Sequence, residues 1–223
     1  MPRQARNVFS NIPHHVTQRG NRQADVFFSD EDKEYYLKLL LQYSVAHDVK
    51  VLAYCLMTNH IHLILLPATE DGLQKVLKPL HMRYAQYINK KNSWNGHLWQ
   101  GRYFSSALDE RYTYHTFRYV ENNPVRAKMV KQAIDYKYSS AAHHCGLVYD
   151  DMITAYDIGV EQSTYLDYLQ ECVDDDSVNI IRRNVNKGLP CGGKNFIDKL
   201  SKSIGRDLSF KQIGRPKKGT VPS

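Results

Sequence analysis

His60-Ile61-His62 is the tripeptide in this chain whose residue types and spacing point most directly to chemistry. Alternate side chains of a strand share a face, so both imidazoles would project together while Ile61 turns the other way. Two imidazoles held like this can bind a divalent metal once a third ligand arrives from elsewhere. A plain alternative stands beside that reading, because a chain with ten histidines also produces this spacing by chance. A second segment is Tyr119-Val120-Glu121-Asn122-Asn123-Pro124. Tyr119 and Asn123 are one helical turn apart and share a face, while Phe117 and Val120 point elsewhere and can anchor the helix. A carboxamide oxygen is a competent ligand for a hard cation, and a helix C-terminus favours positive charge. The arrangement these residues suggest is a metal among His60, His62 and Asn123, with the Tyr119 hydroxyl one turn away. Asn122 is the rival third ligand. His115, one turn before Tyr119, either reaches the site or is a bystander. Tyr119 could equally be one of sixteen tyrosines packing on a core.

The elements that must position these groups can be read from local pattern. Residues 13–19 mix β-branched and polar side chains and end at Gly20, which predicts a first strand. Ser29-Asp30-Glu31-Asp32 is a helix start with an acid at the third helical position. The helix it opens has Tyr36, Leu37, Leu40, Leu41 and Val45 as its apolar face. Residues 49–57 and 60–66 predict a hairpin across Thr58-Asn59. Residues 72–91 predict a second long helix through Leu73, Val76, Leu77, Leu80, Tyr84 and Ile88, kinked at Pro79. Residues 99–108 predict a fourth strand, and 111–123 a short helix stopped by Pro124. Strand, helix, strand, strand, helix, strand is the order of an α+β, ferredoxin-like split βαβ core with an antiparallel sheet. A mainly helical C-terminal extension follows.

Composition narrows the class. The 223 residues suffice for one packed core plus an appendage. No run approaches the roughly 18 apolar residues of a membrane helix, so no membrane partner is expected. Cysteines 55, 145, 172 and 191 lack a C-x-x-C pair and read as reduced thiols of a cytoplasmic protein. The net charge of +7 is divided unevenly: residues 146–181 carry nine acids and no Lys or Arg, and residues 182–223 carry eleven bases and two acids. We therefore divide the chain into a body over 1–145, an acidic helical linker or subdomain over 146–181, and a basic tail with a short helix over 182–223. A basic body and tail suggest a polyanionic partner, nucleic acid first among them. The tail is expected to strengthen that binding while the acidic stretch competes for it.

His60-Ile61-His62 resembles the HUH motif (U being a bulky hydrophobe) of the single-tyrosine transposases. Tyr119-Val120-Glu121-Asn122-Asn123-Pro124-Val125-Arg126-Ala127 resembles the nucleophile helix of their REP-associated branch. His14-His15-Val16-Thr17-Gln18-Arg19-Gly20-Asn21-Arg22 and His97-Leu98-Trp99-Gln100-Gly101-Arg102-Tyr103 resemble that branch too. The resemblance spans about residues 12–143, in the family's order. It implies a ferredoxin-like core, single-stranded DNA with a hairpin as partner, Mg or Mn as cofactor, and possible homodimers. It also implies Tyr119 as the nucleophile and His60, His62 and Asn123 as metal ligands, although glutamine serves as third ligand in some members. The chemistry is coherent, because a phenol is a modest nucleophile and a tolerable leaving group, suited to a reversible strand transfer.

Candidate DNA contacts follow. Arg19, Arg22, Arg83 and Arg102 can pair with phosphates, Trp99 and Tyr103 can stack on an unpaired base, and Arg215, Lys217 and Lys218 form a basic hook or a non-specific phosphate contact. Two rival functions remain: a non-catalytic DNA-binding regulator on the same core, and a metal-dependent phosphodiesterase using activated water, which would not need Tyr119.

Overall fold

The structure is a computed structural model describing residues 6–171 and 174–211. Its core runs β1 (His14–Arg19), α1 (Asp30–Ala46), β2 (Val49–Leu56), β3 (His60–Pro67), α2 (Gly72–Lys91), β4 (Phe104–Ala107) and α3 (Glu110–Glu121). The sheet order is β2-β3-β1-β4, with every neighbouring pair antiparallel. β1 therefore runs parallel to β2 and β3 parallel to β4, joined through α1 and α2. Right-handed crossovers place both helices on the same face of the sheet, where they pack on each other. The predicted ferredoxin-like α+β core is the observed one.

Local sequence explains the helix starts. Ser29 and Asp32 form a reciprocal capping box at the N-terminus of α1. Asp32 is fully buried, and its carboxylate accepts from Phe28 N (2.9 Å), Ser29 N (3.0 Å), Lys91 Nζ (2.7 Å) and the Tyr87 hydroxyl (3.2 Å). Burial alone would raise its pKa, but the Lys91 ammonium and the Phe28 amide together hold it below the ordinary value. A folded pKa depressed in this way gives stability that is fully present above the ordinary aspartate value of 3.8 and is lost as the pH falls toward the folded value. Asp32→Ala is expected to cost about 2–4 kcal/mol, through the lost cap and the stranded donors. Denaturant unfolding at pH 7 checks this, and the difference from wild type should shrink under acid.

Several expectations change. The fourth strand covers only Phe104–Ala107; at Trp99 there is a single bridge to Gly20. Gly20 is required there, since a Cβ would lie 2.1 Å from the Ala24 carbonyl oxygen. α2 keeps its expected bounds, Gly72–Lys91, with Pro79 inside it. Val45 is exposed rather than part of the apolar face of α1. Pro124 ends α3 as predicted, then opens a single further turn, α4 (Asn123–Arg126).

The C-terminal extension is mainly helical, with α5 (Ala141–His144), α6 (Tyr165–Gln170), α7 (Asp175–Lys187) and α8 (Lys194–Ser203). The charge division between residues 181 and 182 falls inside α7. Ile181 and Val185 of that helix are buried, and Gly188 closes it in a left-handed conformation. Beyond it, Cys191 N donates to the Ala107 carbonyl (2.8 Å) and Asp109 N donates to the Cys191 carbonyl (3.0 Å), binding the extension along β4. A small second cluster of Phe9, Ala107, Leu200 and Leu208 seats α8. A chain cut at residue 145 or 181 would thus lose core side chains and hydrogen bonds to β4. Arg215, Lys217 and Lys218 lie outside the described residues.

Candidate active site

The register of β1 on β3 pairs Thr17 with His62 and Arg19 with His60. Strand alternation then puts His15, Thr17, Arg19, His60 and His62 on one face, where α3 lies. Tyr119 reaches that face from α3. Its ring centroid stands 5.6 Å from that of His62 and 5.7 Å from that of His15, edge-on to both. His15 stacks on His62 at 5.2 Å, with Nε2 of one 2.9 Å from Nδ1 of the other. His60 stands 5.0 Å from His62. Four aromatic rings from β1, β3 and α3 therefore converge.

Rigid contacts hold α3 in place. Asp109 caps its N-terminus by accepting from Tyr112 N, and Phe117 and Val120 are buried. The Tyr168 hydroxyl of α6 accepts from Arg118 N (3.0 Å) and donates to the Tyr114 carbonyl. Arg118 pairs with Glu171 at 2.5 Å. At the other end, the buried Glu121 carboxylate accepts from Ser140 (2.5 Å), His144 (2.6 Å) and Tyr165 (2.9 Å).

The histidine pair fits a metal. His60 Nδ1 lies 2.6 Å from Asn59 Oδ1, an acceptor, so that nitrogen carries the proton and Nε2 keeps its lone pair. The His62 tautomer that donates from Nδ1 to His15 likewise leaves Nε2 open. Burial lowers the His60 pKa to about 4, with Arg19 acting the same way. Burial also lowers His62 well below its usual value, helped by His15, His60, Arg126 and Arg19. Both rings are therefore neutral near pH 7, as ligands must be. Among the described residues no three His, Cys, Asp or Glu side chains gather as a metal cluster.

The two candidate amides face different partners. Asn122 Nδ2 donates to the Leu169 carbonyl of α6 (2.7 Å). Asn123 Nδ2 donates to the Tyr119 and Val120 carbonyls, and its Oδ1 accepts from Arg126 (2.8 Å), keeping one lone pair. His115 packs against the Tyr112 and Tyr114 rings. Arg126 also donates to the Tyr119 carbonyl (2.7 Å) and lies 4.2 Å over the Tyr119 ring.

A groove of about 470 Å³ runs beside this face. Among the described residues, Arg6, Arg19, Arg102, Lys187 and Arg206 line it with no carboxylate, and Phe104 and Tyr103 are in its wall. Of the sequence-predicted DNA contacts, Arg19, Arg102 and Tyr103 are brought together here. Tyr103 is nearly covered, however, with the Arg6 guanidinium 3.8 Å over its ring. Trp99 does not offer its ring to a base: it is buried against His81, Tyr84 and Tyr36, and its indole N–H donates to the His81 carbonyl (3.0 Å). Arg22 is exposed in the turn Asn21–Gln23, and Arg83 is exposed on α2, the helix that covers the other sheet face. The groove's accessible aromatic is Phe104, 44% exposed and paired with Thr17 on the His62 side of the sheet. Sequence reasoning missed Phe104; its alternation with Ser105 and Ser106 in β4 was the available signal. The Phe9–His14 stack and the His15–His62 bond carried no local signal at all.

The fold has a counterpart among solved structures. Among solved structures, a REP-associated tyrosine transposase bound to a REP hairpin superposes with a TM-score of 0.55, at 17% identity over 72% of this chain and 95% of that one. A putative transposase from Deinococcus radiodurans R1 gives a TM-score of 0.38, at 20% identity over 54% of this chain and 97% of that one. No curated protein matches the sequence. No helix among the described residues is long and apolar enough to cross a membrane. The family model for IS200-like transposases matches residues 8–123, more than half the chain and the whole span from β1 through Tyr119 to Asn123, so the protein belongs to the IS200-like transposase family.

Proposed function

We propose that this protein is a metal-dependent single-stranded DNA transposase that cleaves and rejoins DNA near hairpins through a 5′-phosphotyrosine on Tyr119. The observation that carries the reading is the meeting of Tyr119 with His62 across β3 and α3, at 5.6 Å between ring centroids. His60, His62 and Asn123 are the residues that would hold Mg or Mn. A bound ion of that kind supplies polarisation of a non-bridging phosphate oxygen. The chain's own groups do the remaining work. The Tyr119 oxygen bonds to phosphorus, the bond to the upstream 3′-oxygen breaks, and the phenolic proton ends on the 3′-hydroxyl. Phosphodiester energy stays in the link, so rejoining needs no nucleotide triphosphate. Arg19, Arg102, Lys187 and Arg206 would bind the strand backbone, and Phe104 offers a stacking surface for an unpaired base. The relative solved with a REP hairpin supports a hairpin-bearing partner. The test is incubation with hairpin-bearing single strands and Mg or Mn, then peptide mapping of the trapped adduct. Label on Tyr119 with a free 3′-hydroxyl is expected; label on Tyr112 or Tyr114, or no link, would overturn the assignment.

His60→Ala and His62→Ala should each abolish cleavage while hairpin affinity changes less than about threefold, because affinity comes mainly from phosphate contacts. A gel-shift titration run beside a cleavage assay checks this. Equal loss of both activities would mean that the histidines serve the fold.

A further inference from the structure

The segment beyond the family match reaches the Tyr119 ring. Arg182 of α7 points its guanidinium at Tyr119, 5.8 Å from the ring centroid, while Arg126 lies 4.2 Å from the same centroid. Two like charges therefore converge on one tyrosine. Among the described residues, no carboxylate forms an ion pair with either of them. Of the acids that precede Arg182, Glu171 pairs with Arg118 and Asp174 accepts from the backbone of Ser177. The pair thus carries a repulsion that an anion bound between them would relieve.

The position of Arg182 is fixed by more than chance contact. It follows Ile181, which is fully buried, and precedes Asn184, whose amide donates to the Pro190 carbonyl (2.7 Å). Ser106 of β4 donates to the Leu189 carbonyl (2.6 Å), and Cys191 bonds to the β4 backbone. α7 is pinned to the sheet edge on one side and to α3 on the other, so a helical side chain on its exposed face is aimed at Tyr119 by the fold.

We propose that Arg182 and Arg126 form an anion site for the phosphoryl group that Tyr119 accepts, which makes the C-terminal extension a working part of the active site. The inference rests on the reading of Tyr119 as nucleophile. In the transfer, the Tyr119 oxygen–phosphorus bond forms as the phosphorus–3′-oxygen bond breaks, and the phosphodiester keeps its single negative charge. That charge is what the two guanidiniums hold. Arg126 also supports Asn123 and the Tyr119 carbonyl, so Arg182 is the cleaner probe.

The experiment compares wild type, Arg182→Ala, Arg182→Gln and Arg182→Lys on a hairpin-bearing single strand and on the same strand with an uncharged methylphosphonate at the scissile position. Adduct rate, hairpin affinity and melting temperature are measured for each. On the natural strand, Arg182→Ala and Arg182→Gln should slow adduct formation about 10- to 100-fold, less than loss of an enclosed oxyanion donor because Arg182 is exposed. Arg182→Lys should recover part of the rate. Affinity and melting temperature should stay near wild type. On the methylphosphonate strand the gap between wild type and Arg182→Ala should close to within about threefold, since the charge that Arg182 recognises is gone. A wild-type rate in Arg182→Ala, or an equal loss on both strands, overturns the anion site and leaves the nucleophile assignment standing. No Tyr119 adduct in the wild-type protein overturns both.

Discussion

Tyr119→Phe is expected to eliminate the covalent protein–DNA link and to lower strand cleavage by on the order of 10³-fold or more, with hairpin affinity unchanged within about twofold. The ring stays in place in this variant. Its edge contacts to His15 and His62 and its stack under Arg126 involve the ring and the backbone carbonyl, not the hydroxyl. Only the nucleophilic oxygen is lost, so melting temperature should hold within a degree or two. The measurement is denaturing gel electrophoresis of labelled hairpin strands after incubation with Mg or Mn. The variant also separates the two enzymatic readings. A phosphodiesterase using activated water would keep cleaving without its tyrosine, and retained cleavage in Tyr119→Phe would establish that reading instead.

Glu121→Leu should destabilise the protein by about 3–5 kcal/mol, the largest stability effect we expect from one side chain near the site. The Glu121 carboxylate is fully buried and accepts three hydrogen bonds from three separate elements. Ser140 and His144 come from α5 and the turn before it, and Tyr165 opens α6. Leucine would leave His144 and Tyr165 without this acceptor and Ser140 with only its longer contact to the Tyr54 carbonyl (3.3 Å), each lost bond costing about 1–3 kcal/mol if nothing relaxes. Glu121→Gln should cost far less, about 1 kcal/mol, because its carbonyl oxygen still accepts from Ser140 and His144 while the Tyr165 hydroxyl can turn to accept from the amide. Urea unfolding of the two variants beside wild type checks the ranking. A Leu variant as stable as the Gln variant would show that the network contributes little. Because Glu121 is two residues from Tyr119, the Leu variant should also lose adduct formation in proportion to the population in which the end of α3 has moved.

Much of this protein was legible in its sequence because the relevant signals are local. The His60-Ile61-His62 alternation is a property of any strand, and the Tyr119–Asn123 spacing a property of any helix. The capping box at Ser29 and the stop at Pro124 are likewise settled within a few residues, which is why the order of the core elements could be read directly. Strand order and face did need the tertiary structure, but right-handed crossovers left few alternatives. What the sequence could not determine is which distant side chains meet. His15 joins His62 only because β1 pairs with β3 in one register. The roles of two aromatics reversed for the same reason: Trp99 is wrapped by α1 and α2 residues, whereas Phe104 falls on an open sheet face beside the basic groove. Charge composition was the most misleading local signal. Counting acids to residue 181 and bases beyond it suggested a linker and a tail, yet one helix, α7, crosses that line, with Ile181 in the core and Arg182 over Tyr119. Net charge sums over a segment, but a helix sends neighbouring side chains in directions about 100° apart. Only packing decides which of them reaches the chemistry.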